Sequence, residues 1–343
     1  MTFGVDEMGS KGAGSGGRGT RPLRVGVVGA GVMGSNHARV LAGLPDISLA
    51  GVVDPLEAHR TRVTQFTDCA TFDTLEHLLD EGVDAVTIAA PTHLHHEIAL
   101  ACIAREIHVL VEKPIASSVE EGRAIVDAAR RAGVTLMVGH VERFNPAVAA
   151  IKHALAGEDI LSIAITRVGP FPPRMSNVGV VIDLAVHDID LIRWFTESDI
   201  VEVQPQLSSA VAEREDIALL QFRTASGVLA HINTNWLTPF KARNVTVATR
   251  GKYVMGDLLT RQVTECFGFK PDGSYSMRHL PVGHDEPLRA ELVAFLQAVR
   301  SGAAPAVTGD EGVASLEIAS RCLETSARPA ASSARKGPRR VVG

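Results

Sequence analysis

Hydrophobic positions along the chain fall into two regimes. From residue 23 to about residue 139, short apolar or β-branched runs alternate with helix-like segments. Leu23 to Val28, Ser48 to Val53, Ala85 to Ala89, Ile107 to Val111 and Thr135 to Gly139 read as strands. The stretches near Leu56 to Thr67, Thr74 to Asp80, His95 to Arg105 and Ser118 to Ala132 read as the intervening helices. This alternation predicts a doubly wound parallel sheet with helices on both faces and a ligand crevice at the carboxyl ends of its strands. Beyond about residue 150 the period changes. Leu161 to Val168, Val201 to Ala212, Ile217 to Phe222, Val228 to Asn235 and Asn244 to Thr249 are alternating or β-branched runs split by turn signals such as Ala225-Ser226-Gly227. They predict a large, mostly antiparallel open sheet, interrupted by a helix at about Val180 to Phe195 and followed by helices near Pro287 to Arg300 and Gly309 to Ser326. The fold class is therefore α/β with two unlike halves.

Length and composition support that division. At 343 residues and 45% hydrophobic content, the chain can bury two sizeable cores. The boundaries expected are a disordered tail over 1–21, a nucleotide-binding domain over 22–146, a substrate and oligomerisation domain over 147–327 and a flexible basic tail over 328–343 carrying Arg335, Lys336, Arg339 and Arg340. The terminal helix is expected to pack back on the first domain. A net charge of −5 gives no electrostatic footprint for nucleic acid, and no apolar run has the length of a membrane span. Cys69, Cys102, Cys266 and Cys322 form no CxxC pair, so reduced thiols and a cytoplasmic setting are expected rather than a disulfide framework.

The first candidate for chemistry is Gly29-Ala30-Gly31-Val32-Met33-Gly34, at the junction of a strand and a helix. In a Gly-x-Gly-x-x-Gly turn the first glycine permits the tight bend, the second lets a pyrophosphate approach the backbone, and the third lets helix and strand pack closely. The anion then meets the free N–H groups of the helix N-terminus. Asp54, twenty residues after Gly34 at the end of the second strand, is placed to accept hydrogen bonds from an adenosine ribose. Its charge favours NAD over NADP, with His59 and Arg60 too far along the following helix to reverse that preference. Pro91-Thr92-His93, Glu112-Lys113-Pro114 and His140 follow later strands, at the mouth of the crevice. Asp183 and His187, spaced i, i+4, are expected to share a helix face, where a carboxylate can orient an imidazole that accepts an alcohol proton. An ordinary surface pair has the same spacing. Lys113 at a strand end can hydrogen-bond a substrate oxygen, although most lysines simply lie along the surface. His93, His95 and His96 do not share a helix face, so no metal is expected. Arg167 and Arg174 flank a proline-rich segment and could grip a phosphate or carboxylate, or else form internal ion pairs.

The glycine fingerprint with His37 behind it, then Asp54-Pro55, Glu112-Lys113-Pro114, Arg143-Phe144-Asn145-Pro146 and Asp183-Leu-Ala-Val-His187-Asp188, in that order, resembles the glucose-fructose oxidoreductase / inositol dehydrogenase / rhizopine catabolism (Gfo/Idh/MocA) family over about residues 23 to 326. The resemblance implies a Rossmann domain and a second α/β domain whose sheet often forms a homodimer or homotetramer interface. It implies hydride transfer between NAD or NADP and a secondary alcohol or ketone of a cyclitol, sugar or nucleotide sugar. Lys113 would contact the reacting oxygen and the nicotinamide edge, His187 would be the acid/base, and Asp183 would orient His187 or bind a neighbouring hydroxyl. Pro91, Thr92, His95 and Glu112 would line the cofactor site, with Arg143 and Asn145 near the substrate or cofactor. The wording around Arg143 and Arg167 resembles both UDP-N-acetylglucosamine 3-dehydrogenase-like enzymes and the cyclitol dehydrogenases of aminoglycoside antibiotic biosynthesis. A binding protein that senses NAD(H) without turnover, and a metal-dependent hydrolase using the histidine cluster, are the readings from other functional classes.

Overall fold

The computed structural model describes residues 21–172 and 178–327; of the expected tails, 1–20 and 328–343 lie outside them, as does Arg174 in the proline-rich segment, whereas Arg21, expected in the first tail, pairs with Asp84. Six strands make the first sheet: β1 (Leu23–Val28), β2 (Ile47–Val53), β3 (Thr71–Phe72), β4 (Ala85–Ile88), β5 (His108–Glu112) and β6 (Leu136–Gly139). They run in the order β3-β2-β1-β4-β5-β6, every pairing parallel. The strand order reverses between β1 and β4, which opens the crevice that such sheets use for ligands. Helices α1 (Val32–Ala42), α2 (Glu57–Thr64), α3 (Leu75–Asp80), α4 (His95–Ile103) and α5 (Val119–Ala132) make the crossovers. Their boundaries follow local chemistry. Ser118 caps α5, its hydroxyl accepting from the Glu121 amide at 3.2 Å, and Gly133 ends the helix in the left-handed conformation at φ 67°.

Helix α6 (Pro146–Ala154) then leads into the second sheet. Its strands are β7 (Ile160–Pro170), β8 (Ile200–Ser208), β9 (Ile217–Thr224), β10 (Leu229–Asn235), β11 (Leu237–Thr249), β12 (Lys252–Asp257), β13 (Gln262–Phe267) and β14 (Ser276–Leu280). The order is β14-β13-β12-β11-β7-β10-β9-β8, antiparallel throughout except for β7 beside β10. Between β7 and β8 a single π-helical turn, Val181–Ala185, runs directly into α7 (Val186–Thr196), and α8 (Pro287–Ser301) and α9 (Gly309–Ala327) close the described chain. Strands β12 to β14 and helix α6 were not among the elements expected from the pattern.

Two apolar cores result, one around each sheet, and the last helices serve both. Leu292 and Phe295 of α8 and Leu316 of α9 are buried in the first core, whereas Ile318, Ala319 and Cys322 of α9 are buried in the second. Just before α9, Thr308 bridges Met137 and the Val138 amide donates to the Val307 carbonyl at 3.2 Å, which covers the otherwise open edge of β6.

Candidate active site

The glycine-rich turn carries out three distinct tasks in the backbone. Gly29 has φ 93°, and a Cβ there would lie 2.7 Å from the Ala89 carbonyl. At Gly34 a Cβ would fall 1.7 Å from the Gly29 oxygen, so only glycine allows α1 to start this close to β1. Gly31 is the opposite case, with nothing within 4 Å of a Cβ, which leaves open space at the N-terminus of α1 where a pyrophosphate fits. Val32 is exposed and Met33 is partly buried beside the turn. Asp54 braces it: the buried carboxylate accepts from the Ala30 amide at 2.8 Å and the Leu56 amide at 2.9 Å. His59 Nδ1 lies 3.1 Å from the same carboxylate, and Arg60 donates to the Asp54 carbonyl at 2.6 Å. The short helix α2 therefore returns both basic side chains to the strand end, contrary to their expected distance.

Beyond β4 and β5 the expected cofactor-lining residues divide. Pro91 and Thr92 remain accessible to different degrees on the turn after β4. His95 is buried instead, its Nδ1 2.9 Å from the Pro114 carbonyl and its Nε2 2.9 Å from the Ala90 carbonyl, so it ties the ends of β4 and β5 together. This use of both ring nitrogens corrects its expected place as a lining residue. Glu112 likewise points inward, to His37, and offers no carboxylate to a cofactor.

Lys113 leaves the end of β5 toward the π-helical turn. Its Nζ donates to the Asp183 backbone carbonyl at 2.7 Å and to Asp183 Oδ1 at 3.1 Å, with both side chains about one-fifth exposed (17% and 21%). Among the described residues no hydrogen bond joins Asp183 to His187. The π turn changes the register that i, i+4 spacing presupposes, and Asp183 orients the lysine rather than the imidazole. His187 sits one residue into α7, its ring edge-to-face with that of His140 at 6.1 Å between centroids. Its Nδ1 is buried and has no partner. Burial, followed by the positive charges of Lys113, Arg167 and Arg243 and by His140, holds His187 well below the ordinary histidine pKa, so it is a neutral imidazole near pH 7. A neutral imidazole beside an ammonium group can accept a proton while the ammonium stabilises the developing oxyanion.

The residues expected to grip substrate are otherwise engaged. Arg167 is buried, with Nε and Nη2 on Asp188 at 3.0 and 2.7 Å and Nη1 on Glu142 at 2.9 Å. Burial opposes its charge, but Asp188 and Glu142 outweigh that and raise its pKa. Arg143 is buried against Asp190 at 2.6 and 2.7 Å and reaches Glu311 at 2.7 Å, joining the turn after β6 to α7 and α9. Asn145 caps α6 by accepting from the Ala147 amide at 3.0 Å and donates to the Leu258 carbonyl at 3.1 Å. These three are braces: for Arg143 and Asn145 this corrects the expected contact with substrate, and for Arg167 it is the internal ion pairing that was the alternative to gripping substrate. Arg243, which the sequence did not single out, pairs with Glu142 at 2.7 Å and keeps about one-third of its side chain exposed (35%). It is the cation of this network that remains accessible.

The architecture has counterparts among known proteins. Residues 23–140 match the oxidoreductase family, NAD-binding Rossmann fold, and residues 162–254 match the GFO/IDH/MocA C-terminal domain. An inositol 2-dehydrogenase from Rubrobacter xylanophilus is 32% identical, covering 88% of this chain and 90% of its own length. The structure of a UDP-N-acetylglucosamine 3-dehydrogenase from Acidithiobacillus ferrooxidans superimposes with a TM-score of 0.83 at 27% identity, over 89% of this chain and 98% of the other. That of GenD2 from gentamicin A biosynthesis, in complex with NAD, gives 0.78 at 25% identity over 94% and 97%. With the glycine turn shaped for a pyrophosphate and relatives matched along nearly their whole length, the chain belongs to the GFO/IDH/MocA family of NAD-binding oxidoreductases and is a dehydrogenase acting on CH–OH groups.

Proposed function

We propose that the chain oxidises a ring secondary alcohol of a cyclitol, or reduces the matching ketone, with Lys113, Asp183 and His187 as the working residues. Bound NAD, held at Gly29 to Gly34 with Asp54, Pro91 and Thr92 nearby, supplies the hydride acceptor. Lys113 then hydrogen-bonds the substrate oxygen, Asp183 fixes the ammonium group and can accept from a neighbouring hydroxyl, and His187 takes the hydroxyl proton. The observation that carries the reading is the Lys113–Asp183 contact beside a neutral His187, at the carboxyl end of the nucleotide-binding sheet. A protein that only senses NAD(H) would have no need of that contact.

The cyclitol reading is supported by the engagement of Arg167 and Arg143 with protein carboxylates, and by the inositol dehydrogenase relative. A nucleotide-sugar substrate is the second reading, favoured by the accessible guanidinium of Arg243 and by the UDP-N-acetylglucosamine dehydrogenase neighbour. The deciding experiment is a screen for NADH formation with inositols and inosamines against UDP-N-acetylglucosamine, with NAD and NADP in parallel. Turnover of a free cyclitol supports the first reading; turnover of the UDP-sugar alone replaces it with the second. We also propose a homo-oligomer, since the open sheet face carries exposed Leu219 and Leu229 among Gln204, Gln221 and His231, and a cytoplasmic setting, which the four free cysteines support. Light scattering that gives only monomer would overturn the oligomer.

A further inference from the structure

Behind the Lys113 turn lies a cluster that the reaction above does not use. Glu112, the last residue of β5, turns its carboxylate inward, with Oε1 3.0 Å from His37 Nε2 on α1 and Oε2 accepting from the Lys113 amide at 3.3 Å. Glu291 on α8 completes the group. Its carboxyl is wholly buried, neither oxygen has a hydrogen-bond partner, and one oxygen lies within 4.8 Å of both His37 and Glu112. Two carboxylates this close, away from water, cannot both ionise without a cation between them. Among the described residues neither carboxyl has a lysine or arginine in an ion pair.

We propose that Glu291 is held as a neutral carboxylic acid whose proton is directed at Glu112, and that it thereby acts as a positioning residue for Lys113. The negative charge of Glu112 then meets two donors at hydrogen-bond distance, the His37 N–H and the Lys113 amide, with the Glu291 O–H within 4.8 Å of it. The electrostatics agree, since burial and then the charge of Glu112 push Glu291 well above the usual carboxyl range. Among the described residues no other neighbouring element brings an unpaired charge to Glu291. Arg39 on α1 pairs with Glu286 at the surface, and on the turn after β6 Arg143 is engaged by Asp190 and Glu311 while Glu142 is engaged by Arg167 and Arg243. His95 on α4 is engaged by two backbone carbonyls, and burial lowers the pKa of both it and His140. The protonation state stands on its own geometry; the positioning role rests on the reading of Lys113 as the group that meets substrate.

Infrared spectroscopy of the full chain with 13C-labelled glutamate tests the proton directly. A protonated-carboxyl band should persist at about pH 8, several units above an ordinary glutamate pKa, and should vanish in Glu291→Gln. Because the folded state binds the extra proton, the unfolding equilibrium of the wild type should shift toward unfolding by up to tenfold per pH unit between the unfolded and folded pKa values. Glu291→Gln, which keeps a hydrogen-bond donor, should remove that slope and retain turnover. Glu291→Leu should lower kcat about tenfold with NADH affinity unchanged, less than the ~10²-fold that a 1 Å misplacement can cost. Absence of the band from the wild type, or one bound metal ion per chain that is lost in Glu291→Gln, would overturn the proton. Wild-type kcat in Glu291→Leu would overturn the positioning role. A band present in a protein that turns over no alcohol would uphold the proton and remove the proposed function together with the positioning role.

Discussion

The two ends of the crevice are built in different ways. The nucleotide end is backbone: of three glycines within six residues, Gly29 and Gly34 answer to atoms of the neighbouring strand end and of the turn itself, and Gly31 keeps the space before the helix open. The reacting end is side chains gathered from afar, with Lys113 at the end of β5 held by Asp183 seventy positions later, and His187 fixed among cations supplied by β7 and β11. A site written in backbone tolerates little change of residue size but is indifferent to charge. A site written in side chains depends on which charges surround it, and so on the network of Arg167, Asp188, Glu142 and Arg243 behind it.

That contrast can be broken most sharply at the reacting end. Replacing His187 with Ala should lower kcat by about 10²–10⁴-fold, the usual contribution of a general base, while fluorescence titration shows NADH binding unchanged. Equal turnover in the variant would remove His187 from its role. At the nucleotide end, Gly34→Ala sets a Cβ against the Gly29 oxygen and should destabilise the whole first sheet, whereas Gly31→Ala meets no atom. We expect the Gly31 variant to melt like wild type and bind NAD more weakly, a separation of folding from binding that denaturation and titration together can measure. Arg167→Ala leaves Asp188 and Glu142 buried with one cation fewer and should cost about 3–5 kcal/mol of stability. If it melts normally and only KM rises, Arg167 belongs to the substrate after all. The smallest effect concerns pH. Since His187 has a depressed pKa, the folded state binds fewer protons there than the unfolded one, and stability should fall as pH drops below the ordinary histidine value of about 6.5. The acid limb of kcat/KM should likewise lie below that value; a limb at or above it would show an unperturbed ring.

The sequence revealed most where a residue's role is local. The strand–glycine–helix junction is legible because its constraint acts within a dozen residues, and the parallel pairing of the first sheet, though not its strand order, follows from the alternation of elements. Asn145-Pro146 is also a local signal, a cap followed by proline at the first helical position, and it marks α6. Reading it only as a family motif assigned Asn145 to substrate. Arg167 shows a subtler limit. It occupies the same alternating register as Ile163 and Ile165, both buried, so β7 itself points it inward, but its carboxylate partners come from elements 21 and 25 residues away. Glu291 stands in the stripe of Leu288, Leu292 and Phe295 on α8, and a carboxyl in that register is a sign of a buried polar group. Neither position reveals its partners, because partners are set by how helices and sheets meet in space. The i, i+4 inference at Asp183 and His187 failed for another reason: it assumed α-helical geometry at what is a π turn.

The path of α9 bears on synthesis. Residues of α8 and α9 close the core around a sheet whose last strand ends at Gly139. Chains emerge from the ribosome amino end first, so the nucleotide-binding half waits through the whole second sheet for Leu292, Phe295 and Leu316. Until they arrive, a nascent chain holds an apolar surface and the bare edge of β6, the two features that chaperones recognise and aggregates exploit.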